Sequence, residues 1–220
     1  MYSWVIRVAV LFLLLSIGIG NKLPNDIRWV VKSKEYKNLT EQVYSSAWDK
    51  VSKKIKRNRK KQIAIVMDLD ETVLDNSGYQ LYLTDTGQSY TPATWDEWVV
   101  KEEAGLVPGA AKFISKARKK GVQFIFISNR MDSRTEETKR NMEELGVLGA
   151  GDIFLLRLDK KDTKIVRRSE VYNQTGRMKG KESYKVIAYF GDAMGDFPSD
   201  ESSKFGKEFF MLPNPMYGKW

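Results

Sequence analysis

Two pairs of aspartates stand where apolar stretches of the sequence end. Asp68 and Asp70 follow one apolar run, and Asp192 and Asp196 follow another. Side chains two positions apart in a strand point to the same side, so Asp68 and Asp70 are expected to share one face. Like charges held this close are unfavourable unless a cation or a proton transfer stabilises them. The pattern therefore predicts a divalent-cation site that performs phosphoryl chemistry.

The residue types that the chain lacks narrow this chemistry. It contains neither cysteine nor histidine, which excludes disulfides, thiolate nucleophiles, Cys/His zinc sites and histidine acid–base catalysis. A nucleophile must then be a side chain such as Asp, and a metal ion must accept oxygen ligands, as Mg²⁺, Ca²⁺ and Mn²⁺ do. The net charge of +9 fits either solvated lysines or anionic partners such as phosphate esters.

Alternating strand and helix patterns position these acids. The predicted strands are residues 63–67, 122–127, 153–156, 185–190 and 209–212. Because helical stretches separate them, we expect an α/β fold with a doubly wound, Rossmann-like parallel sheet in one domain over residues 21–220. Ligands bind beyond the carboxyl ends of such strands. Asp68, Ser128 and Asp192 fall at such ends, and Lys164 lies near the start of the helix after the short third strand.

Two further segments are predicted from their local composition. Residues 75–108 contain several glycines and prolines but no long apolar run. They are predicted to form a small cap insertion after the first strand, with one short helix capped at Thr94. Upstream, the stretch from Asn38 to Glu41 has the pattern of a capping box, so a helix is predicted to begin there.

The predicted site residues act as nucleophile, as general acid or as ligands of the cation and the phosphoryl group. Asp68 would attack phosphorus and form an aspartyl-phosphate, and Asp70 would protonate the leaving alcohol and then activate water. Asp68, Asp192 and the backbone carbonyl of Asp70 would hold Mg²⁺, with Asp196 orienting metal-bound waters from behind. The groups predicted to surround the phosphoryl group are Thr72, Ser128, Asn129 and Lys164.

These residues resemble the haloacid dehalogenase (HAD) superfamily. Its pattern is Asp-x-Asp-x-Thr, a strand-end Ser or Thr, a Lys, and then Gly-Asp-x-x-x-Asp. The chain matches it in order with 68–72, Ser128, Lys164 and 191–196. The resemblance implies a HAD-type sheet. Members that cleave phosphoanhydrides often lack the second Asp, so Asp70 implies an alcohol leaving group.

A narrower resemblance to bacterial class C acid phosphatases covers most of the chain after residue 20. It is carried by the stretches 68–77, 98–99, 107–110, 128–130, 191–197 and 212–220. That family includes outer-membrane lipoprotein 5′-nucleotidases, in which two aromatic rings clamp the base. The resemblance implies a Mg²⁺-dependent phosphatase for nucleoside monophosphates, with Trp95 and Tyr217 stacking on the base.

The chain departs from the family pattern in two places. Lipoprotein members carry a Cys after the leader, whereas this chain has none, so lipid attachment by that route is excluded. Ala193 and Met194 stand where the family usually has Asn-Leu, and losing that amide is expected to weaken the order around Asp192.

The N-terminal residues have the pattern of a targeting segment. Arg7 precedes an apolar stretch at residues 8–20, which fits a signal peptide better than a membrane span of ~20 residues. Basic residues that follow it leave an uncleaved anchor open. Residues 1–20 are therefore predicted to be a signal peptide or a membrane anchor, with residues 4–20 as the tether. The domain is expected to be exported to the periplasm, the cell surface or the medium.

Two other functions are compatible with the same residues. A phosphotransferase would form the same intermediate and pass the phosphoryl group to an alcohol. A membrane-tethered nucleotide-binding module would keep the site without turnover. Nucleic-acid binding is not expected, because it rests only on charge and on the basic stretch at residues 53–61, which suits the exposed end of a helix. The favoured prediction is a Mg²⁺-dependent phosphomonoesterase.

Overall fold

The fold is taken from a computed structural model that describes residues 23–218, so the predicted leader lies outside the described residues. The strands are β1 (Ile63–Met67), β2 (Leu74–Asp75), β3 (Gly105–Leu106), β4 (Gln123–Met131), β5 (Ile153–Arg157), β6 (Lys185–Gly191) and β7 (Phe209–Met211). The α-helices are α1 (Asn25–Lys32), α2 (Lys34–Arg57), α3 (Ser77–Thr86), α4 (Pro92–Lys101), α5 (Ala110–Arg118), α6 (Thr135–Glu144) and α7 (Lys164–Asn173). Short 3₁₀ turns lie at Asp132–Arg134, Gly176–Met178, Met194–Asp196 and Ser202–Lys204.

The central sheet is parallel and has the strand order β5-β4-β1-β6-β7. All five residues of β1 are apolar and buried, as expected for a central strand that is covered on both faces. The connecting helices α5 and α6 pack on one face of this sheet, and α7 packs on the other. Helices on both faces are the arrangement that the alternating sequence pattern predicts. The doubly wound α/β prediction is therefore confirmed.

Side chains of β1 alternate between two apolar clusters, one on each face of the sheet. Ile65 packs in the cluster that contains Val51 of α2 and Phe113 of α5. Val66 packs in the opposite cluster, which contains Val171 of α7. Burying an aliphatic side chain of this size contributes roughly 1.5–3 kcal/mol. Packing on both faces fixes the strand and thereby the loop that follows it.

The register of the central strands brings their carboxyl ends to one edge. Met67 is opposite Phe126 of β4 and Phe190 of β6. Asp68, Ser128 and Asp192 lie one or two residues beyond these partners and so emerge next to one another. This edge is where ligands bind in parallel α/β sheets.

The N-terminal helices begin earlier than the sequence predicted. The α2 helix starts at Lys34, where the Ser33 hydroxyl accepts a hydrogen bond from the Tyr36 N–H at 3.0 Å. The predicted start at Asn38 is wrong because Thr40 lies inside the helix, and its buried hydroxyl donates to the Tyr36 carbonyl at 3.1 Å. Within residues 23–218, no helix is both long and apolar enough to cross a membrane.

The cap insertion contains two helices, α3 and α4, where one was predicted. The antiparallel pair of β2 and β3 closes its base. Buried Tyr79 and Leu83 of α3 pack against Trp98 of α4, so α3 has no long apolar run that faces the sheet. The α4 helix begins after Thr91, whose hydroxyl accepts from the Thr94 N–H at 3.1 Å in a capping box. The predicted cap at Thr94 is therefore wrong.

Candidate active site

Three carboxylates meet beyond the ends of β1 and β6. Asp68, Asp192 and Asp196 each offer one oxygen, and these oxygens lie within 4.8 Å of one another. Asp68 and Asp196 are buried, and Asp192 is half-buried. The Asp68 N–H donates to the Phe190 carbonyl at 2.9 Å, which continues the pairing of β1 with β6. We call these three residues the acidic cluster.

One ammonium group lies within the acidic cluster. Lys164 is the first residue of α7, and its Nζ donates to Asp68 Oδ1 at 2.7 Å and to Asp196. Three carboxylates and one ammonium leave a formal charge of −2. Buried charge of this kind needs a compensating partner. A divalent cation has the matching charge, and carboxylate oxygens are the ligands that Mg²⁺ and Ca²⁺ prefer.

Asp68 and Asp192 hold protons more tightly than isolated carboxylates do. Burial raises the pKa of Asp68 well above its ordinary value; Lys164 opposes that shift, and Asp196 and Asp192 reinforce it. Burial and Asp196 raise the pKa of Asp192 to about 6. Burial by itself lowers the pKa of Lys164, but Asp68 and Asp196 outweigh it and the net shift is upward.

A glycine allows the loop after β6 to fold back over the strand. A Cβ on Gly191 would lie 2.2 Å from the Cβ of Asp196, so any larger residue would push Asp196 away. The Ala193 N–H donates to Asp196 Oδ2 at 2.9 Å. Asn214, from the segment after β7, donates to Asp192 Oδ2 at 2.8 Å. Sequence reasoning missed Asn214, which gives Asp192 the amide partner that Ala193 and Met194 do not supply.

Asp70 lies outside the acidic cluster, with its carboxylate surrounded by donors. Its Oδ1 accepts hydrogen bonds from Arg130 Nε at 2.9 Å and from Asn76 Nδ2 at 3.0 Å. Its Oδ2 accepts one from Ser128 Oγ at 3.2 Å. We call Asn76, Ser128 and Arg130 the donor ring. The donor ring holds the Asp70 carboxylate in one orientation beside the acidic cluster.

Sequence reasoning assigned no role to Arg130, although a signal for it was present. The β4 strand continues to Met131, so Ser128 and Arg130 are two residues apart in a strand and share a face. The same spacing had identified Asp68 and Asp70. Asn76 had no such signal, because its contact with Asp70 depends on the path of the cap insertion.

A second buried arginine ties α7 to the ends of β4 and β5. Arg167 is fully buried, and it donates to the carbonyls of Ser128 and Leu155, the latter at 3.2 Å. Its Nη2 donates to Asn129 Oδ1 at 2.7 Å. Arg167 lies one turn after Lys164, so these bonds fix the helix that delivers the ammonium. Asn129 itself is exposed, and its phosphate contact stays a prediction.

Thr72 lies inside the loop that follows β1 rather than at its surface. Its side chain is fully buried, and its hydroxyl has no hydrogen-bond partner within residues 23–218. Its carbonyl accepts from Tyr44 Oη at 2.5 Å. The preceding Glu71 has a left-handed backbone with φ 55°, and its Oε1 accepts from the Asn76 N–H at 2.9 Å. These contacts support a loop-shaping role for Thr72, and its phosphate contact stays a prediction.

The two aromatic residues proposed for base stacking lie on different segments. Trp95 of α4 is half-buried, with the Arg130 guanidinium 5.8 Å from its ring centroid and the Tyr79 ring edge-on at 5.2 Å. Tyr217 follows β7 and is 37% exposed. Their joint use as a clamp stays a prediction.

Comparisons with known proteins identify the family and the fold. The sequence model for the HAD superfamily, subfamily IIIB (Acid phosphatase), matches residues 18–220. The structure resembles the class C acid phosphatase from Bacillus anthracis, at 34% identity and a TM-score of 0.78 over 89% of this chain and 84% of that one. A tungstate-bound structure of that enzyme gives 33% identity, a TM-score of 0.79 and the same coverage.

Plant proteins also resemble the chain at a greater distance. It is 24% identical to the Stem 31 kDa glycoprotein of Glycine max and 27% identical to Vegetative storage protein 1 of Arabidopsis thaliana. Each match covers 69% of this chain. The chain spans 58% and 54%, respectively, of the length of these curated relatives.

Proposed function

The chain belongs to the acid phosphatases of HAD subfamily IIIB, a family of phosphoric monoester hydrolases, and from this premise we propose that it hydrolyses phosphate monoesters through a phosphoryl group carried on Asp68. One observation carries the proposal. Asp68 lies in the acidic cluster next to the Lys164 ammonium, while Asp70, two residues away, is held apart by the donor ring. This arrangement supports Asp68 as the nucleophile and Asp70 as the neighbouring proton donor.

The acidic cluster suits a divalent cation, for which Mg²⁺ is the proposed occupant. Asp68 and Asp192 would hold it with carboxylate oxygens, together with the predicted backbone carbonyl of Asp70. Asp196, whose carboxylate accepts hydrogen bonds from Lys164 and from the Ala193 N–H, would orient its bound waters. The oxygen donor set and the excess negative charge of the acidic cluster both fit such an ion. When bound, the cation would neutralise negative charge on the phosphoryl oxygens.

The proposed reaction has two displacements, in which the residues of the chain form bonds and move protons. In the first, an oxygen of Asp68 bonds to phosphorus as the bond to the alcohol breaks, and Asp70 gives its proton to the leaving oxygen. In the second, Asp70 takes a proton from water, whose oxygen bonds to phosphorus as the bond to Asp68 breaks. Lys164 supplies a fixed positive charge beside Asp68 throughout.

Nucleoside monophosphates are the proposed substrate class. Trp95 lies on the cap insertion above Arg130, and Tyr217 offers a partly exposed ring after β7. Stacking of a base on an aromatic ring contributes ~1–3 kcal/mol and tolerates different bases. The tungstate in the related Bacillus anthracis enzyme, an oxyanion similar to phosphate, supports a phosphoryl site in this family.

A phosphate-release panel tests this function. The protein would be assayed with nucleoside monophosphates, sugar phosphates and an aryl phosphate, each with Mg²⁺ and with EDTA. We expect release with Mg²⁺ that EDTA abolishes and Mg²⁺ restores. Adding glycerol and measuring phosphorylated glycerol separates hydrolysis from phosphotransfer. Binding of nucleotides without any release would contradict the enzyme and support a binding module.

The substrate class has its own test in Trp95→Ala. We expect KM for a nucleoside monophosphate to rise roughly 5- to 100-fold, as loss of one stacking contact implies. KM for a sugar phosphate, which has no base to stack, serves as the internal control and should change little. An equal rise for both substrates would contradict stacking on Trp95.

Export of the domain is a separate proposal that rests on the apolar stretch at residues 8–20. Cell fractionation followed by N-terminal sequencing tests it. Recovery outside the cytoplasm with an N-terminus near residue 21 supports a cleaved signal peptide. Recovery in the membrane fraction with residues 1–20 still attached supports the anchor.

A further inference from the structure

The two oxygens of the Asp70 carboxylate have different surroundings. Oδ1 accepts from two donors, Arg130 Nε at 2.9 Å and Asn76 Nδ2 at 3.0 Å. Oδ2 has a longer contact of 3.2 Å with the Ser128 hydroxyl, and a hydroxyl can rotate to donate or to accept. Oδ1 is thus occupied, whereas Oδ2 is the oxygen that can exchange a proton.

The amide of Asn76 is fixed in orientation by two groups that can only donate. Its Oδ1 accepts from Trp98 Nε1 at 2.9 Å and from Arg130 Nη2 at 3.2 Å. Because indole and guanidinium groups carry no acceptor, the Asn76 carbonyl must face them. Its NH₂ group therefore faces Asp70. A continuous chain of hydrogen bonds runs from Trp98 in the cap insertion through Asn76 to Asp70.

Arg130 is held as firmly as the carboxylate that it contacts. Its side chain is only 1% exposed. Besides Asp70 and Asn76, its guanidinium donates to Thr138 Oγ1 of α6 at 3.4 Å. The planar fork of an arginine gives these bonds fixed relative directions, which a lysine cannot reproduce. The same group lies over the Trp95 ring of α4.

We propose that Arg130 and Asn76 are positioning residues that occupy Oδ1 of Asp70, so that Oδ2 alone transfers the proton in both displacements. Trp98 assists by fixing the Asn76 amide. This inference rests on the proposed function. In the first displacement the proton moves from Oδ2 to the leaving alcohol oxygen as the P–O bond breaks and the bond to Asp68 forms. In the second, Oδ2 receives a proton from the attacking water.

The consequence is that β4 and the cap insertion together set the direction of proton transfer. Esters whose leaving group must be protonated depend on this positioning, whereas esters whose leaving group departs as a stable anion do not. Loss of a positioning residue should therefore slow hydrolysis of the first kind of ester and leave hydrolysis of the second almost unchanged. A residue that only maintains the fold should affect both kinds of ester equally.

The test compares kcat/KM for glycerol phosphate, an alkyl ester, with kcat/KM for dinitrophenyl phosphate. This ratio reports the first displacement only. Arg130→Lys keeps the charge but loses the fork, and we expect a loss of about 10²-fold for the alkyl ester and under about threefold for the aryl ester. Trp98→Phe keeps a buried aromatic ring but removes the indole N–H together with its five-membered ring, and we expect an alkyl-selective loss of about fivefold. Thermal unfolding measures the fold of each variant.

Arg134→Lys is the matched control. Arg134 also joins α4 to the core, through two bonds to Asp96 at 2.7 and 2.5 Å, but it does not contact Asp70. We expect it to leave the alkyl-to-aryl ratio unchanged. Equal losses on both esters in Arg130→Lys and Trp98→Phe, or no loss in either, would overturn the inference.

Two reference variants separate failure of this inference from failure of the proposed function. Asp70→Asn should show an alkyl-selective loss at least as large as that of Arg130→Lys, and adding Arg130→Lys to it should cause no further selective loss. A non-selective loss in Asp70→Asn would contradict the acid role of Asp70 and, with it, the positioning role of Arg130 and Asn76. Full activity in Asp68→Asn would instead overturn the proposed function itself.

Discussion

Asp68 and Asp70 follow the same strand, two residues apart, yet they lie in opposite electrostatic surroundings. Asp68 lies beside Asp192 and Asp196, and the three share one ammonium. Asp70 accepts hydrogen bonds from the Arg130 guanidinium and from two neutral donors. The excess of negative charge beside Asp68 favours a cation, whereas the excess of donors around Asp70 favours one fixed orientation.

The difference shows that environment, and not residue type, divides the work between two carboxylates. The partners of Asp68 come from β6 and α7, which belong to the core of the sheet. The partners of Asp70 come from β4 and from the cap insertion. The ends of β1, β6 and α7 therefore prepare phosphoryl transfer, and the end of β4 together with the cap insertion prepares proton transfer.

The largest effect is expected from Asp68→Asn. Without the nucleophile, kcat should fall by about 10⁴-fold or more for alkyl and aryl esters alike, since neither can form the intermediate. Phosphate release measures the loss, and thermal unfolding checks that the protein is folded. A loss confined to alkyl esters would contradict this role, because it would show that Asp68, and not Asp70, acts as the proton donor.

Asp192→Asn is expected to lower activity by weakening the binding of the cation. Removing one carboxylate from the acidic cluster should lower activity by about 10³-fold at low Mg²⁺, with partial recovery as Mg²⁺ is raised. Asp152→Asn is a matched control, because Asp152 is also an acid with a raised pKa but pairs with Arg118 away from the site. A Mg²⁺ requirement that is the same in both variants would contradict the cation site.

Asn214→Ala should produce a smaller effect of the same kind. Loss of the 2.8 Å bond to Asp192 Oδ2 leaves the carboxylate free to turn. We expect the Mg²⁺ concentration for half-maximal activity to rise about 10- to 100-fold. The alkyl-to-aryl ratio should not change, because Asn214 does not contact Asp70. A changed ratio would show that the two sides of the site are not independent.

The smallest effect is expected in the pH dependence of stability. The pKa of Asp192 is raised from 3.8 to about 6, so the folded state binds more protons than the unfolded state in this range. Stability present at low pH is then lost as pH rises through about 6. Without metal, Tm should fall on the order of 5 °C between about pH 5 and about pH 7. Saturating Mg²⁺ should remove this fall, because it binds the ionised carboxylates.

Sequence reasoning located the acidic side of the site better than the donor side. The positions of Asp68, Asp192 and Ser128 follow from one rule, that parallel strands end at a common edge. Lys164 followed from its place near the start of a helix. These positions depend on backbone register, which apolar patterns reveal.

The donor side depends on side-chain contacts that no periodic pattern reveals. Asn76 contacts Asp70 only because α3 and α4 pack on each other, and α3 was not predicted. Its buried Tyr79 faces α4, so its pattern lacks the signature of a helix on a sheet. Asn214 lies far along the chain from Asp192, and only the path after β7 brings them together.

The central claim is that Asp68 carries the phosphoryl group. The most direct measurement quenches the protein with acid during turnover, reduces acyl-phosphates with borohydride and maps the peptides by mass spectrometry. We predict homoserine in place of Asp68, dependent on substrate and absent from Asp68→Asn. Steady turnover with position 68 unmodified, or with the reduced residue at Asp70, would contradict the account.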